Sequence, residues 1–234
     1  MTIMNNEISV LLQRHLDLTC LNETATEKDI TQLCETAKEN HTAAVCVYPF
    51  FINHCHALLK DTTIKVATVA NFPQGDFSLS TTCDQITKAL EDQVDEIDLV
   101  LPYTLFLKNE IKKVKDYLAT CKKQLPDFVK LKIILETGAL KTKDAIHTAS
   151  LIALEAGADF LKTSTGKIAV GATLEAAEII LKTIATWHYP AGFKVSGGIK
   201  TQQTAYAYYC LTEQILEKKL DTSLFRIGAS QLLA

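Results

Sequence analysis

The chain carries no excess of basic residues: 24 Lys and Arg stand against 27 Asp and Glu over 234 residues, a formal net charge of −3. That balance argues against nucleic acid or an anionic membrane as partner, while a small anion held by a few local cations stays open. A C-x-x-C pair is also missing. The seven cysteines, Cys20, Cys34, Cys46, Cys55, Cys83, Cys121 and Cys210, are odd in number and mostly set in apolar runs, which reads as reduced core thiols in a cytoplasmic protein rather than a disulfide framework. No apolar stretch approaches the roughly 18 residues a membrane span needs. The opening M-T-I-M-N-N-E has no basic start leading into an apolar core, so no secretory signal is expected and the N-x-T triplets at Asn22 and Asn40 are chance matches. No G-x-G-x-x-G turn follows the first strand, as an open dinucleotide-binding sheet would require. Nor is there a low-complexity linker, and the expectation is one domain spanning residues 1–234.

What is present is alternation. A short opening helix over Ile8–Leu12 precedes a strand over His15–Leu21; Thr26 then caps a helix whose apolar face is Ile30, Leu33, Cys34 and Ala37, and a β-branched run, Ala43–Tyr48, follows. The unit repeats. Strands are expected at Ile64–Ala70, Glu96–Leu101, Val129–Leu135, Ala158–Lys162, Gly192–Ser196 and Leu224–Ile227. Between them lie helices, including one long amphipathic helix marked by Leu107, Ile111, Val114, Leu118 and Cys121. Strand–helix alternation implies a parallel sheet covered by helices. Eight such units in a length near the roughly 250 residues typical of a closed barrel predict a single (β/α)8 TIM barrel.

In that fold chemistry gathers at the carboxyl ends of the strands, and the anomalies there are charges inside apolar runs. Lys162 stands in A-D-F-L-K-T-S-T-G-K. An ammonium buried in a sheet costs several kcal/mol unless it is paired or loses its proton, so Lys162 either has a partner or has a job. Asp98 lies in E-I-D-L-V, Lys132 in V-K-L-K-I-I-L and Lys194 in G-F-K-V-S. Alternate strands supply the layers of a barrel interior, which puts Asp98 with Lys162 in one layer and Lys132 with Lys194 in the next. The amines of strands six and seven then fall within ~5 to 6 Å of each other. Two ammonium groups ~5 Å apart repel by about 3 kcal/mol at an effective dielectric near 20. That equals roughly two pKa units and brings one lysine from about 10.4 toward 8 before desolvation lowers it further. A lysine with a lowered pKa and a cationic neighbour suits attack on a carbonyl to form a Schiff base. Lys162 is the chosen nucleophile, because Thr163, Ser164 and Gly166 leave room for substrate, and Lys194 is its perturber. Asp98 reads equally as a proton shuttle or as a structural bridge. Lys132 orients Asp98 or takes part directly.

A phosphate site has separate support. The loops after strands seven and eight, S-G-G-I-K (Ser196–Lys200) and G-A-S (Gly228–Ser230), have the glycines that let backbone N–H groups approach an anion where this fold usually holds phosphate. Lys167 and Lys200 add charge. His54-Cys55-His56 resembles a metal cluster only on paper, since consecutive helical residues diverge, and no metal or cofactor is expected. Cys46, in an apolar strand, reads as core rather than nucleophile, with a place in the pocket lining left open. Asp17 and Thr19 end strand one and either help to close the site or, the reading preferred here, serve in capping or structural bonding.

Taken together, F-L-K-T-S-T-G-K, E-I-D-L-V-L-P-Y, L-K-I-I-L-E-T-G, G-F-K-V-S-G-G-I-K and R-I-G-A-S resemble deoxyribose-phosphate aldolase from about Leu16 through Ser230. The resemblance implies cofactor-free, reversible cleavage of 2-deoxy-D-ribose 5-phosphate to D-glyceraldehyde 3-phosphate and acetaldehyde. It makes Lys162 the Schiff-base lysine, Lys194 the lysine that lowers its pKa, Asp98 the proton-relay carboxylate and Lys132 a member of the same cluster. Gly166, Lys167, Gly197, Gly198, Gly228 and Ser230 fall where the family holds phosphate. It also implies a small phosphorylated sugar as partner and a homodimer. Lys200 stands where arginine is frequent and Gln231 where a small residue is usual; both bear on how tightly phosphate is held. Longer relatives carry a tail that reaches the site, so with the chain ending at Ala234 water is expected to replace a tail-borne proton donor. Another Schiff-base lyase on the same barrel and a catalytically inactive phosphate-binding barrel are the competing readings, and the intact Lys162, Lys194 and Asp98 set opposes the second.

Overall fold

The computed structural model of the chain describes residues 2–232, with side chains from Glu7 onward. Helix α1 (Thr2–Arg14) leads into β1 (Leu16–Cys20), then α2 (Glu27–Asn40), β2 (Ala44–Val47), a 3-10 turn over Pro49–Phe51 and α3 (Ile52–Leu59). Next come β3 (Lys65–Ala70), α4 (Leu79–Glu91), β4 (Glu96–Val100), α5 (Tyr103–Leu107), α6 (Ile111–Gln124), β5 (Lys130–Ile134), α7 (Thr137–Leu140) and α8 (Lys143–Glu155). The chain closes with β6 (Phe160–Lys162), α9 (Leu174–Ala185), β7 (Gly192–Ser196), α10 (Gln202–Leu216) and β8 (Phe225–Ala229). Every neighbouring strand pair is parallel, and β8 returns to β1 through the pairs Leu16 with Ile227 and Asp17 with Gly228. The result is a closed eight-stranded (β/α)8 barrel.

The helices form where the chain offers caps. Thr26 and Asp29 make a reciprocal capping box at the start of α2, and Ser78, Thr142, Thr173 and Thr201 each accept from a backbone N–H in the first turn of α4, α8, α9 and α10. Each such cap contributes about 1 kcal/mol. Two expectations needed correction. The opening helix is longer than Ile8–Leu12, and the single helix expected from Leu107 onward is two, because Asn109 adopts a positive φ of 62° that no α-helix accommodates. Leu107 ends α5 and is largely exposed, outside the buried face of Val114, Leu118 and Cys121 on α6.

The two-residue period of the strands separates two cores. Outward residues such as Leu18, Val45, Val66, Ile97, Leu131, Phe193 and Ile227 pack under the helices in one large apolar cluster. Inward residues fill the barrel unevenly: Cys46, Ala67, Val69, Val100 and Ile134 form a second apolar cluster beneath Phe72. Much of the remaining interior is charged. Asp17, Glu96, Asp98, Lys132, Lys162, Lys194 and Arg226 are all buried. Gly192 is required by this packing, since a Cβ there would sit 2.3 Å from the Phe160 ring on the neighbouring strand. Phe160 in turn lies 5.6 Å from the Arg226 guanidinium.

Candidate active site

Lys162 and Lys194 are direct partners in the β6–β7 ladder, so their side chains leave the same face of the sheet. Beyond them the strands are stitched together: Thr163 Oγ1 donates to Ser196 O at 2.9 Å, Ser196 N–H donates back to Thr163 Oγ1 at 2.9 Å, and Ser196 Oγ donates to Ser164 O at 2.5 Å. These small polar residues fix the register that holds the two amines together. Asp98 pairs with Lys132 across β4 and β5 in the same way.

The expected two layers merge into one cluster, because lysine side chains are long enough to cross the gap between them. Lys162 Nζ lies 2.8 Å and Lys194 Nζ 2.7 Å from Asp98 Oδ2, and Lys132 Nζ lies 2.8 Å from Asp98 Oδ1. Sharing one oxygen keeps the Lys162 and Lys194 nitrogens within about 5.5 Å of each other. Asp17, for which structural bonding was preferred to a place in the site, also reaches this cluster: its Oδ2 lies 2.5 Å from Lys194 Nζ and its Oδ1 2.7 Å from Arg226 Nη1.

The electrostatics separate the lysines. Burial pushes the Lys162 amine below its ordinary value, Asp98 pulls it back up, and Lys194 lowers it again. Desolvation is thus the largest influence on Lys162 and Lys194 a smaller one, the reverse of the emphasis drawn from sequence. Burial also opposes the charged form of Lys194, but Asp17 and Asp98 together override it and hold its ammonium well above the ordinary range. Lys132 is raised against its own burial by Asp98 and Glu96. Asp98 is wholly buried, yet three ammonium groups hold its carboxyl well below the usual range. One amine is thereby pushed toward neutrality among neighbours fixed in their charged forms.

Access separates them as well. A cavity of about 780 Å³ opens at the carboxyl ends of the strands, and Lys162 lines it, while Asp98, Lys132 and Lys194 lie beneath its floor. Gly166, Lys167, Gly197, Gly198, Gly228 and Ser230 share that lining, with Lys200 and Gln231. Gly197 and Gly198 take φ values of +89° and +87°, a backbone path closed to most side chains, and turn the loop after β7 across the cavity. A Cβ on Gly228 would press to 3.0 Å from Ser196 and 3.2 Å from Lys194 Cε. Lys167 Nζ donates to Leu21 O at 2.6 Å, tying the loop after β6 to the end of β1.

Three residues of this region escaped the sequence reading. Glu96 lies two positions before Asp98 on β4, so it faces inward too, and it holds Lys132 Nζ at 2.5 Å and Arg226 Nη2 at 2.9 Å. Its spacing from Asp98 was the available signal. Arg226 alternates with Gly228 on β8 in the same manner. Glu136, fully buried just past β5 with φ 56°, accepts from Thr165 Oγ1 at 2.5 Å, and burial raises its carboxyl. Thr165 Oγ1 in turn accepts from Lys167 N–H at 3.0 Å, so Glu136 braces the cavity-lining loop. Thr19 lines the cavity, whereas His54, Cys55, His56 and Cys46 stay outside its lining. His54 meets Thr31 at 2.9 Å on the barrel exterior while Cys55 is buried in the outer core. Burial holds the Cys46 thiol near 11, and it lies inside the barrel among apolar residues.

Fold and site together define a class: a (β/α)8 barrel that presents a buried lysine amine to a cavity at the open end of its strands. The chain belongs to the DeoC/LacD aldolase family, whose model matches residues 12–230. A deoxyribose-phosphate aldolase of Agrobacterium fabrum is 45% identical over 231 residues, covering 97% of this chain and 89% of that one. A crystal structure from Coccidioides immitis, provisionally assigned the same activity, superposes with a TM-score of 0.84 at 28% identity over 95% of this chain and 83% of that one. The tetrameric deoxyribose phosphate aldolase of Aeropyrum pernix shares the fold at a TM-score of 0.81 and 23% identity, covering 95% of this chain and 88% of that one.

Proposed function

We propose that this protein is a class I deoxyribose-phosphate aldolase whose nucleophile is Lys162. The observation that carries the assignment of Lys162 is that, of the four cations clustered in the barrel, it is the one that lines the cavity and the one whose pKa is lowered. In the cleavage direction its neutral amine adds to the C1 aldehyde of open-chain 2-deoxy-D-ribose 5-phosphate, and loss of water leaves an iminium. The C3 hydroxyl gives up its proton, the C2–C3 bond breaks, and its electron pair moves onto C2 and the iminium to form an enamine as D-glyceraldehyde 3-phosphate departs. Protonation at C2 and attack by water then release acetaldehyde and return the amine. Asp98 and Lys194, hydrogen-bonded to each other beside Lys162, are suited to exchange these protons with water at the cavity floor. Lys132 keeps Asp98 in place. No step calls for a metal or an organic cofactor.

The glycine loops at Gly166, Gly197–Gly198 and Gly228, with Lys167 and Ser230, are suited to the 5-phosphate. Lys167→Met is expected to raise KM for 2-deoxy-D-ribose 5-phosphate about tenfold with little change in kcat, the effect of losing one charge-assisted contact. The same variant should leave the slow cleavage of unphosphorylated 2-deoxy-D-ribose unaltered; an equal loss on both sugars would remove Lys167 from the phosphate site. Incubation with acetaldehyde and borohydride, followed by intact mass and peptide mapping, tests the nucleophile directly, with one reduced adduct expected on Lys162.

Association of two copies belongs to the same reading, and sedimentation at micromolar concentration should give twice the chain mass rather than one. A cytoplasmic location is supported by the seven cysteines, none of them disulfide-bonded. Among the described residues no helix is long and apolar enough to cross a membrane.

A further inference from the structure

The ion network does not stop at the cavity floor. It runs the length of the barrel interior, from Lys162 through Asp98, Lys194 and Asp17 to Arg226, and back through Glu96 and Lys132 to Asp98. Its far end, Glu96 with Arg226, lines a separate cavity of about 760 Å³ at the amino-terminal mouth and touches nothing in the catalytic cavity. Among the described residues this network holds three carboxylates, Asp17, Glu96 and Asp98, and four cations, Lys132, Lys162, Lys194 and Arg226.

We propose that Glu96 and Arg226 are positioning residues, acting through Asp98, Lys132 and Asp17 from the opposite end of the barrel, that set the interior charge so that Lys162 is its one surplus cation. Three carboxylates are matched by Lys132, Lys194 and Arg226, so the interior is neutral when Lys162 is neutral. Burial makes an uncompensated charge costly, and the proton that leaves is the one on the amine with a route to water. Geometry selects that amine. Lys194 has two carboxylate partners, Lys132 has two within 2.8 Å and Arg226 has two, whereas Lys162 has Asp98 alone, on an oxygen it shares with Lys194. The directions of the shifts agree: Lys132, Lys194 and Arg226 are raised, Asp17 and Asp98 are lowered, and Lys162 alone moves toward its uncharged form.

The other groups that face the network leave this balance in place. Cys46 on β2, raised to about 11 by burial, is a neutral thiol. Glu136 faces Lys162 from beyond β5 and feels its charge, but burial raises its carboxyl, Thr165 holds its oxygens and among the described residues it makes no ion pair. At the far mouth Lys65 pairs with Asp95, Lys130 with Asp159 and both at the surface, while Arg14 and His41 line the cavity without a bond to Glu96 or Arg226. His15, behind β1, has its pKa lowered by burial, which favours the neutral ring.

This inference rests on Lys162 as the nucleophile, and its test separates the two. The rate of borohydride-trapped adduct formation with acetaldehyde is measured against pH in the full-length protein and in Glu96→Gln, Arg226→Met, Arg226→Lys and the double variant Glu96→Gln/Arg226→Met, with folding checked by circular dichroism. Removing a carboxylate makes the Lys162 ammonium less favourable, so Glu96→Gln moves the acidic limb to lower pH. Removing a cation does the opposite, and Arg226→Met moves it to higher pH. Each shift is expected to be about one pH unit, the size for a unit charge ~10 Å away at an effective dielectric near 20. The double variant and Arg226→Lys, which preserve the charge count, should return the limb to its original position. A merely structural role would lower the rate at every pH without opposite shifts. Absence of an adduct on Lys162 in the unmodified protein overturns the nucleophile itself. An adduct that forms normally, with limbs that stay put or move together in the single variants, overturns the charge-balance role; should Arg226→Met fail to fold, Glu96→Gln and Arg226→Lys still decide it.

Discussion

Lys162→Met is expected to abolish the borohydride-trapped adduct and lower aldol cleavage by at least ~10⁴-fold, while leaving the protein as stable as before or more so. The two halves of that result have one cause. On the proposed mechanism the amine serves as nucleophile because its folded-state pKa is depressed by burial, and for the same reason it destabilises the fold. Between the depressed folded value and the ordinary 10.5 the unfolded chain binds a proton that the native state does not, so the contribution of Lys162 to stability improves as pH rises through that window and is unfavourable at neutral pH. Methionine fills much of the same volume without a proton to lose. Its thermal midpoint, measured at pH 7, should equal or exceed that of the parent. Loss of the covalent intermediate leaves only orientation and electrostatics to promote cleavage, hence the size of the expected drop. A variant that retains a percent or more of activity, or that unfolds several degrees earlier, would mean that Lys162 is a structural ion-pair partner.

Asp98→Asn should fail in both respects. Asp98 is fully buried and has three lysine nitrogens within 2.8 Å, two of them, on Lys132 and Lys194, held in the charged form. An amide keeps the shape but removes the charge that compensates them. Breaking a buried ion network by neutralising one partner costs about 3–5 kcal/mol, part of it recoverable here because Lys162 can shed its proton and Lys132 and Lys194 keep Glu96 and Asp17. The urea midpoint should fall accordingly with an unchanged slope. Turnover should fall ~10²- to 10⁴-fold through the lost proton exchange. The acid limb of stability is a further marker. A carboxylate with a depressed folded pKa contributes stability that is fully present above its unfolded value near 3.9 and is lost as pH falls toward the folded value. The variant should therefore lose less stability than the parent as pH is lowered from about 5. A parent-like midpoint in Asp98→Asn would show that the network is dispensable to the fold.

The fold was largely legible because a barrel strand buried on both faces must be apolar, which turns each charge inside one into a signal. Lys162, Lys194, Asp98 and Lys132 were found that way, and the ladder places them on the inner face of the sheet. Glu96 was overlooked because it opens its strand, where a charge usually meets solvent; its two-residue spacing from Asp98 was the one sign of the inner face on which the structure places it. Arg226 hid inside a motif read for its glycine and serine. Glu136 stood inside the quoted L-K-I-I-L-E-T-G stretch without an assigned role, since that role depends on a positive φ beyond the strand end and on a threonine brought to it from 29 positions along the chain. The break between α5 and α6 was missed for a related reason: Asn109 adopts its conformation locally, inside an apolar pattern that continues at helical spacing across it.

By itself the sequence determined that eight strands alternate with helices, and that lysines and a carboxylate stand where the open end of such a barrel must be, because apolar periodicity and turn chemistry are local properties of the chain. Only the tertiary structure decided which amine is left without a full share of negative charge. Asp17 and Arg226 are 209 residues apart and meet only because β8 closes against β1. The Lys162 amine is pushed toward its neutral form first by burial and then by the balance of the charges around it, in a space that exists once the ring is shut and water is excluded from it.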